Sequence, residues 1–209
     1  MSDRGALLPL FPLNLVLMPG SPLPLHIFEP RYREMVGEAS RRGTEFGVIL
    51  EQESELAPVG TTALVEDVTH RYEDGRFDVA TRGVRRFRVV QLDRGEDILR
   101  AQVEFFDDEQ ELPVSREEAE TLYLLAMEAA ALAGAATPKG LNPEDPHPSF
   151  RAAATLPLDL PFKQKLLAVR SERQRLAQLT AYLEAWLEKA RIATKAKAVA
   201  GRNGHARKL

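Results

Sequence analysis

Apolar residues crowd the start of the chain. "LPLFPLNLVLMPGSPLPLHIFEPRY", Leu8 to Tyr32, carries no charge before Glu29 apart from His26, yet prolines interrupt it at 9, 12, 19, 22 and 24. Each proline inside a helix deletes a backbone donor and clashes with the preceding turn, at about 3 kcal/mol. The stretch therefore predicts two or three short buried strands joined by turns, with "MPGSP" as the sharpest turn. Proline confines such strands to edges, first positions or bulges. In "EPRYREMVGEASRRG" the period changes. Tyr32, Met35, Val36 and Ala39 fall at i, i+3, i+4 and i+7, Pro30 suits a first helical position and Gly43 a stop. A short amphipathic helix is expected there.

"FGVILE", "GTTALVEDVTHRY", "RFDVATRG", "RRFRVVQL" and "ILRAQVEFF" follow, rich in β-branched and aromatic residues, with "EDGR" (Glu73 to Arg76) marking a hairpin. Phe87 and Val89 alternate with Arg86 and Arg88, giving an inward and an outward face. Five to seven strands with one inserted helix suggest a compact barrel, because closure removes exposed edges. Past "FDDEQELPVS" the pattern turns helical. Ser115 and Glu118 have capping-box spacing, and Ala/Leu/Glu-rich sequence runs to about Ala133. "GAATPKGLNPEDPHP" contains four prolines and is a loop; "SFRAAATL" is a short helix. A longer helical run opens on Asp159 as N-cap and carries an apolar stripe through Val169, Leu176, Leu179, Leu183 and Trp186. That stripe packs on the chain's own helices or pairs with a second copy as a homodimer. The expected organisation is α+β: a barrel over 1–112, helices over 113–190 and a basic tail over 191–209.

The chain has 209 residues and no cysteine, which excludes disulfides, thiolate metal sites and thiol nucleophiles. The first apolar stretch lacks both the unbroken run and the small-x-small site of a secretion signal, and nothing else approaches membrane length. A soluble, cytoplasmic protein without a membrane partner is expected. The formal net charge is −3, unevenly spread: no acidic residue follows Glu188, while Lys189, Arg191, Lys195, Lys197, Arg202, Arg207 and Lys208 are basic. Such an end attracts nucleic acid or an acidic protein surface, or is simply a solvated terminus.

Four stretches, in this order, resemble the N-terminal substrate-binding domain of the ATP-dependent Lon proteases, and more closely free-standing bacterial proteins made of that domain alone. They are "LPLFPLNLVLMPGSPLPLHIFEPRY", "VGTTALVEDV", "DGRFDVATRGVRRFRV" and "LPLDLPFKQKLLAVRSERQRLAQL", spanning about residues 7 to 187. The resemblance implies a PUA-like β pseudo-barrel followed by a helical subdomain. It also implies a non-catalytic role in binding unfolded or damaged polypeptides, beside a protease or chaperone. The family's ATPase and serine–lysine peptidase modules are not expected in this chain. There is no G-x-x-x-x-G-K-[ST] loop, and "TPKG" (Thr137 to Gly140), which echoes the turn before the family's catalytic serine, is followed by no serine until Ser149.

No constellation argues for an enzyme, a metal or a cofactor. The histidines at 26, 70, 147 and 205 lack metal-ligand spacing, and the carboxylates of "EQESE" and "DDEQE" read as solvated turns and linkers. By resemblance, His26, Phe28, Glu29, Arg31 and Tyr32 are candidates for polypeptide binding, with Phe28 and Tyr32 as apolar anchors and Arg31 as a polar contact. The competing reading is that Phe28 and Tyr32 pack the helix onto the barrel. An RNA-binding alternative uses Arg82, Arg85, Arg86 and Arg88 with the basic tail. It lacks aromatic residues on the same face, which single-strand binders use as stacking platforms.

Overall fold

A computed structural model describes residues 7–93, 95 and 97–203, with side chains as far as 193. The chain forms two compact units, Met1–Gln110 with Leu158–Arg170, and Glu111–Pro157 with Ser171–Leu209. Residues 158–170 thus belong with the strands rather than with the helices on either side of them.

The first unit holds seven strands and two helices among the described residues. The strands are β1 (Leu8–Leu13), β2 (Pro22–Ile27), β3 (Phe46–Gln52), β4 (Glu55–Leu56), β5 (Val59–Arg71), β6 (Phe77–Asp93) and β7 (Arg100–Phe106); α1 spans Pro30–Arg42. Pairing runs β1-β7-β6-β5-β3 and returns from β3 to β1, so five strands close a barrel. β1 closes it by splitting its partners: Leu8 and Pro9 face β7, while Leu10 to Leu13 run parallel to β3. Its two prolines are tolerated because neither side of β1 is paired along its whole length. β2 adds to the first half of β6 and has no second strand neighbour among the described residues.

Local chemistry agrees with these bounds. Pro30 opens α1, Gly43 ends it in the left-handed conformation at φ 63°, and Tyr32, Met35, Val36 and Ala39 are its buried residues. They pack with Phe11, Ile27, Phe46, Val48, Phe77 and Val79 in one core cluster; Leu10, Ile49, Phe87 and Ala101 form a second. The two strands expected from "RFDVATRG" and "RRFRVVQL" are one strand of 17 residues. Gly83 between them is no turn. A Cβ there would lie 2.5 Å from the Met18 carbonyl oxygen, and Gly83 instead exchanges backbone hydrogen bonds with Gly20 and Ser21 as the 14–21 loop crosses the strand. From the later part of the chain α4 (Leu160–Ala168) joins this unit, capped by Asp159, whose carboxylate accepts from the Phe162 N–H at 2.8 Å.

The second unit is helical: α2 (Arg116–Leu132), α3 (Pro148–Thr155) and α5 (Glu172–Asn203). The capping box is formed, with Glu118 N–H donating to Ser115 Oγ and Ser115 N–H to Glu118 Oε2. Leu176, Leu179, Leu183 and Leu187 are buried along α5, with Leu122, Tyr123, Ala126, Ala129 and Ala130 of α2 and Phe150, Ala152 and Ala153 of α3 completing the unit's core. The stripe expected from Asp159 onward breaks at Val169, where ψ is 136° and α4 ends. No described helix is long and apolar enough to cross a membrane.

Candidate functional site

Two surfaces of the first unit carry the candidate residues. On one, the strand register sets His26 of β2 and His70 of β5 on either side of Asp78 of β6. His26 Nδ1 lies 2.5 Å from Asp78 Oδ1, and the Tyr72 hydroxyl donates to Oδ2 at 2.9 Å. These two bonds, the one from His26 first, hold the Asp78 carboxyl below the usual carboxylate range. The same bond to Asp78 pushes the Tyr72 phenol above its ordinary value. The His26 ring stacks at 6.1 Å on Phe28, and Tyr72 takes edge contacts from His26 at 5.5 Å and His70 at 4.4 Å. Phe28 is 58% exposed at the end of this aromatic row. His70, Tyr72 and Asp78 escaped the reading of single segments. Their signal was the "EDGR" hairpin, which fixes "THRY" opposite "RFDV".

The second surface is an open groove of about 1110 Å³ between α1, the start of β1 and the β7 edge. Met35 and Ala39 of α1, Leu8, Ile98, Val103 and Phe105 give it apolar walls. Its rim is charged and largely self-paired: Arg42 with Glu38 at 2.9 Å, and Arg85 with Glu45 at 3.1 Å. The Arg85 guanidinium also lies 3.9 Å over the Phe105 ring. Arg31 reaches this surface through a bond from Nη1 to the carbonyl of Asp97, a lining residue, and is held by Glu29 Oε2 at 2.9 Å. The groove thus gathers Arg85 and loop residues 97–98, and Arg31 touches one of its lining residues without lining it.

Two expectations change. Tyr32 is 7% exposed, with its ring centroid 4.2 Å from that of Phe11; it packs α1 onto the barrel and offers no free face as an anchor. Burial raises its phenol pKa above the ordinary value. Arg86 is 5% exposed rather than solvated. It points outward as the alternation requires, but α4 and the residues after it cover that face. Its Nη1 donates to the carbonyls of Leu167 and Val169, and its Nη2 pairs with Asp108. Of its strand neighbours, Arg82 pairs with Glu66 at 2.5 Å, and only Arg88 is exposed with no carboxylate partner among the described residues. In the basic tail, Arg191 pairs with Glu128 at 2.5 Å; Arg207 and Lys208 lie outside the described residues, as does His205.

Comparison with known proteins places this geometry. The family model of the ATP-dependent protease La (LON) substrate-binding domain matches residues 7–185. A Lon protease of Anaeromyxobacter dehalogenans is 30% identical over 115 residues, which are 51% of this chain and 14% of that protein. Lon protease 2 of Myxococcus xanthus is 30% identical over 115 residues, with the same shares. The chain thus aligns with about a seventh of the length of these curated relatives. The crystal structure of a Lon N-terminal domain protein from Xanthomonas campestris superposes with a TM-score of 0.65 at 30% identity, covering 85% of this chain and 98% of the other. The N-terminal domain of a Mycobacterium avium complex Lon protease, 15% identical, shares the fold at a TM-score of 0.63 over 86% of this chain and 98% of its own. The matched span takes in the barrel, its inserted helix, α2 to α4 and α5 as far as residue 185, and the chain belongs to the family of the LON substrate-binding domain.

Proposed function

We propose that this protein is a non-catalytic module that recognises unfolded or damaged polypeptides, presenting them to a protease or chaperone in the cytoplasm. The observation that carries this reading is the groove beside α1. Its volume exceeds that of a typical small-molecule pocket, it is open, and it joins apolar walls to a charged rim. Such a surface suits an extended chain, whose apolar side chains meet Met35, Ile98, Val103 and Phe105 while its backbone amides meet Glu34, Glu38 and Arg42. The exposed Phe28 row is a second apolar contact point on the same unit. Strand addition at the free edge of β2 is disfavoured. Pro22 and Pro24 have no N–H to offer there, so an added strand loses two of its acceptor-side partners.

The RNA alternative loses support from the pairing of Arg82 and Arg85 with carboxylates and the burial of Arg86.

Fluorescence anisotropy against a labelled unfolded polypeptide and a labelled single-stranded RNA, each at low and high salt, tests the reading. Polypeptide binding is expected to be nearly flat in salt and to weaken about tenfold in Ile98→Ser and Phe105→Ala, the scale of losing one well-buried apolar contact. Unchanged polypeptide affinity in both variants would remove the groove from the proposal. RNA binding with a log–log salt slope near −5, at about −0.7 per phosphate contact for seven tail charges, would favour the alternative.

A further inference from the structure

On the other side of α1 lies a smaller concavity of about 380 Å³. Arg33 and Arg41 of α1 and Arg71 at the end of β5 line it, with Val68 and Phe77 as apolar wall. The arginines are unlike their neighbours. Arg31, Arg42, Arg76, Arg82, Arg85 and Arg86 each have a carboxylate within salt-bridge distance. Arg33, Arg41 and Arg71 have none among the described residues. Glu34 is the single acidic residue on the lining and pairs with none of them; the Asp74 carboxylate acts on Arg33 from the hairpin turn, and Arg41 and Arg71 keep their charges on the lining without a carboxylate within salt-bridge distance among the described residues.

The site is also built. Arg33 Nη1 donates to the Asp74 carbonyl at 2.9 Å, which fixes the guanidinium at the hairpin turn, while its Nε is buried with no hydrogen-bond partner. Gly75 permits this approach: a Cβ there would stand 2.7 Å from Arg33 Nη1. At Gly37 the missing side chain leaves room between Arg41 Nη1 and the Phe77 ring, 3.7 and 4.0 Å from where a Cβ would sit. The Arg71 guanidinium stands 5.7 Å from the Phe77 ring centroid, on the same wall. A buried donor without an acceptor is destabilising, and like charges sharing a cavity repel. An anionic ligand with several acceptor oxygens, bound between the arginines, relieves that repulsion.

We propose that this cavity binds a phosphate-type oxyanion, either free or as the phosphoryl group of a small molecule. Guanidinium forks match phosphate oxygens geometrically, and the volume lies in the range of small-ligand pockets. The site shares Glu34 of its lining, and none of its three arginines, with the groove assigned to polypeptides, so the two readings are tested by different residues.

The test is an NMR titration of the full chain with inorganic phosphate and with glycerol phosphate at constant ionic strength, following the arginine Nε–Hε signals. Saturable shifts at Arg33 Nε are expected. Arg41→Ala and Arg71→Ala, both exposed positions, should each weaken binding about tenfold, the scale of one charge-assisted hydrogen bond. Arg88→Ala, an exposed arginine outside the cavity, should leave it unchanged. Tighter binding of glycerol phosphate would assign the site to phosphorylated small molecules, and equal or weaker binding to the free ion. Shifts that do not saturate, or equal weakening by Arg88→Ala, would overturn the proposal.

Discussion

Arg86 and Arg175 carry full charges where little water reaches, and each is stable only through its partners. Arg175 is fully buried on α5, with Nε donating to Ser149 Oγ at 3.1 Å and to Glu172 at 3.2 Å, and with Phe150 4.0 Å beneath its guanidinium. Arg86 spends its donors on Asp108 and on two carbonyls beyond α4. Removing one side of such a pair strands the other charge, which typically costs about 3–5 kcal/mol. Arg86→Ala and Asp108→Ala should each destabilise the protein by about that much in urea unfolding. Arg86→Met with Asp108→Leu should cost less than the sum of the single changes, since no charge is left behind. Strict additivity would mean that the pair adds nothing beyond its separate contacts. Strand alternation placed Arg86 on the outward face, and that was correct. What covers the face comes from some eighty residues later, and no local pattern carries that information. Tyr32 is the opposite case: its spacing with Met35, Val36 and Ala39 already put it in the core, and the helical period outweighed the motif that made it an anchor.

Elements whose ends are set by local chemistry were legible; those set by distant contacts were not. α1 and the capped start of α2 belong to the first kind. The break between α4 and α5 belongs to both. Arg170 is drawn out of helix by backbone and side-chain bonds to Glu109 and Asp107, which no spacing predicts. Yet Ser171–Glu172–Arg173–Gln174 has the S-x-x-Q signature of a helix start, and Ser171 Oγ does accept from Gln174 N–H at 3.1 Å. The apolar stripe through Val169 hid that signal. The β3–β4 hairpin shows an element at odds with its own sequence. Its register joins Gln52 to Glu55, so the turn residues are Glu53 and Ser54, at φ 50° and 68°. A two-residue turn of this hand favours Asn-Gly, and an ordinary L-residue there costs about 1 kcal/mol. Replacing Glu53–Ser54 by Asn–Gly should therefore stabilise the protein by about 1 kcal/mol, partly offset by the entropy of the new glycine. In a chain of this size that reads as a rise of about 2–4 °C in Tm, followed by circular dichroism. A fall in Tm would mean that Glu53 or Ser54 makes a contact that outweighs the strain.

At the scale of the molecule, the unit that holds the closed barrel is not contiguous in sequence. Composition changes near residue 112, and the last strand ends at Phe106; the unit the strands form nevertheless takes in residues 158–170. Those residues bring Leu166 and Leu167, both about 1% exposed, the carbonyls that satisfy Arg86, and Gln164, whose side-chain amide donates to the Val59 carbonyl at 2.8 Å. A fragment ending at Gln110 would leave a buried arginine facing water and the Asp108 pair unsupported. Burial of two leucines alone is worth about 3–6 kcal/mol, comparable to the whole stability of a small domain. Residues 1–110 should accordingly show no cooperative thermal transition. The same fragment carrying residues 158–170 on a long Gly/Ser linker should regain one, because the linker restores every interaction named here at a closure cost that grows only slowly with its length. Cooperative melting of residues 1–110 alone would show that the barrel closes without its late helix, and α4 would then be an addition to the fold rather than part of it.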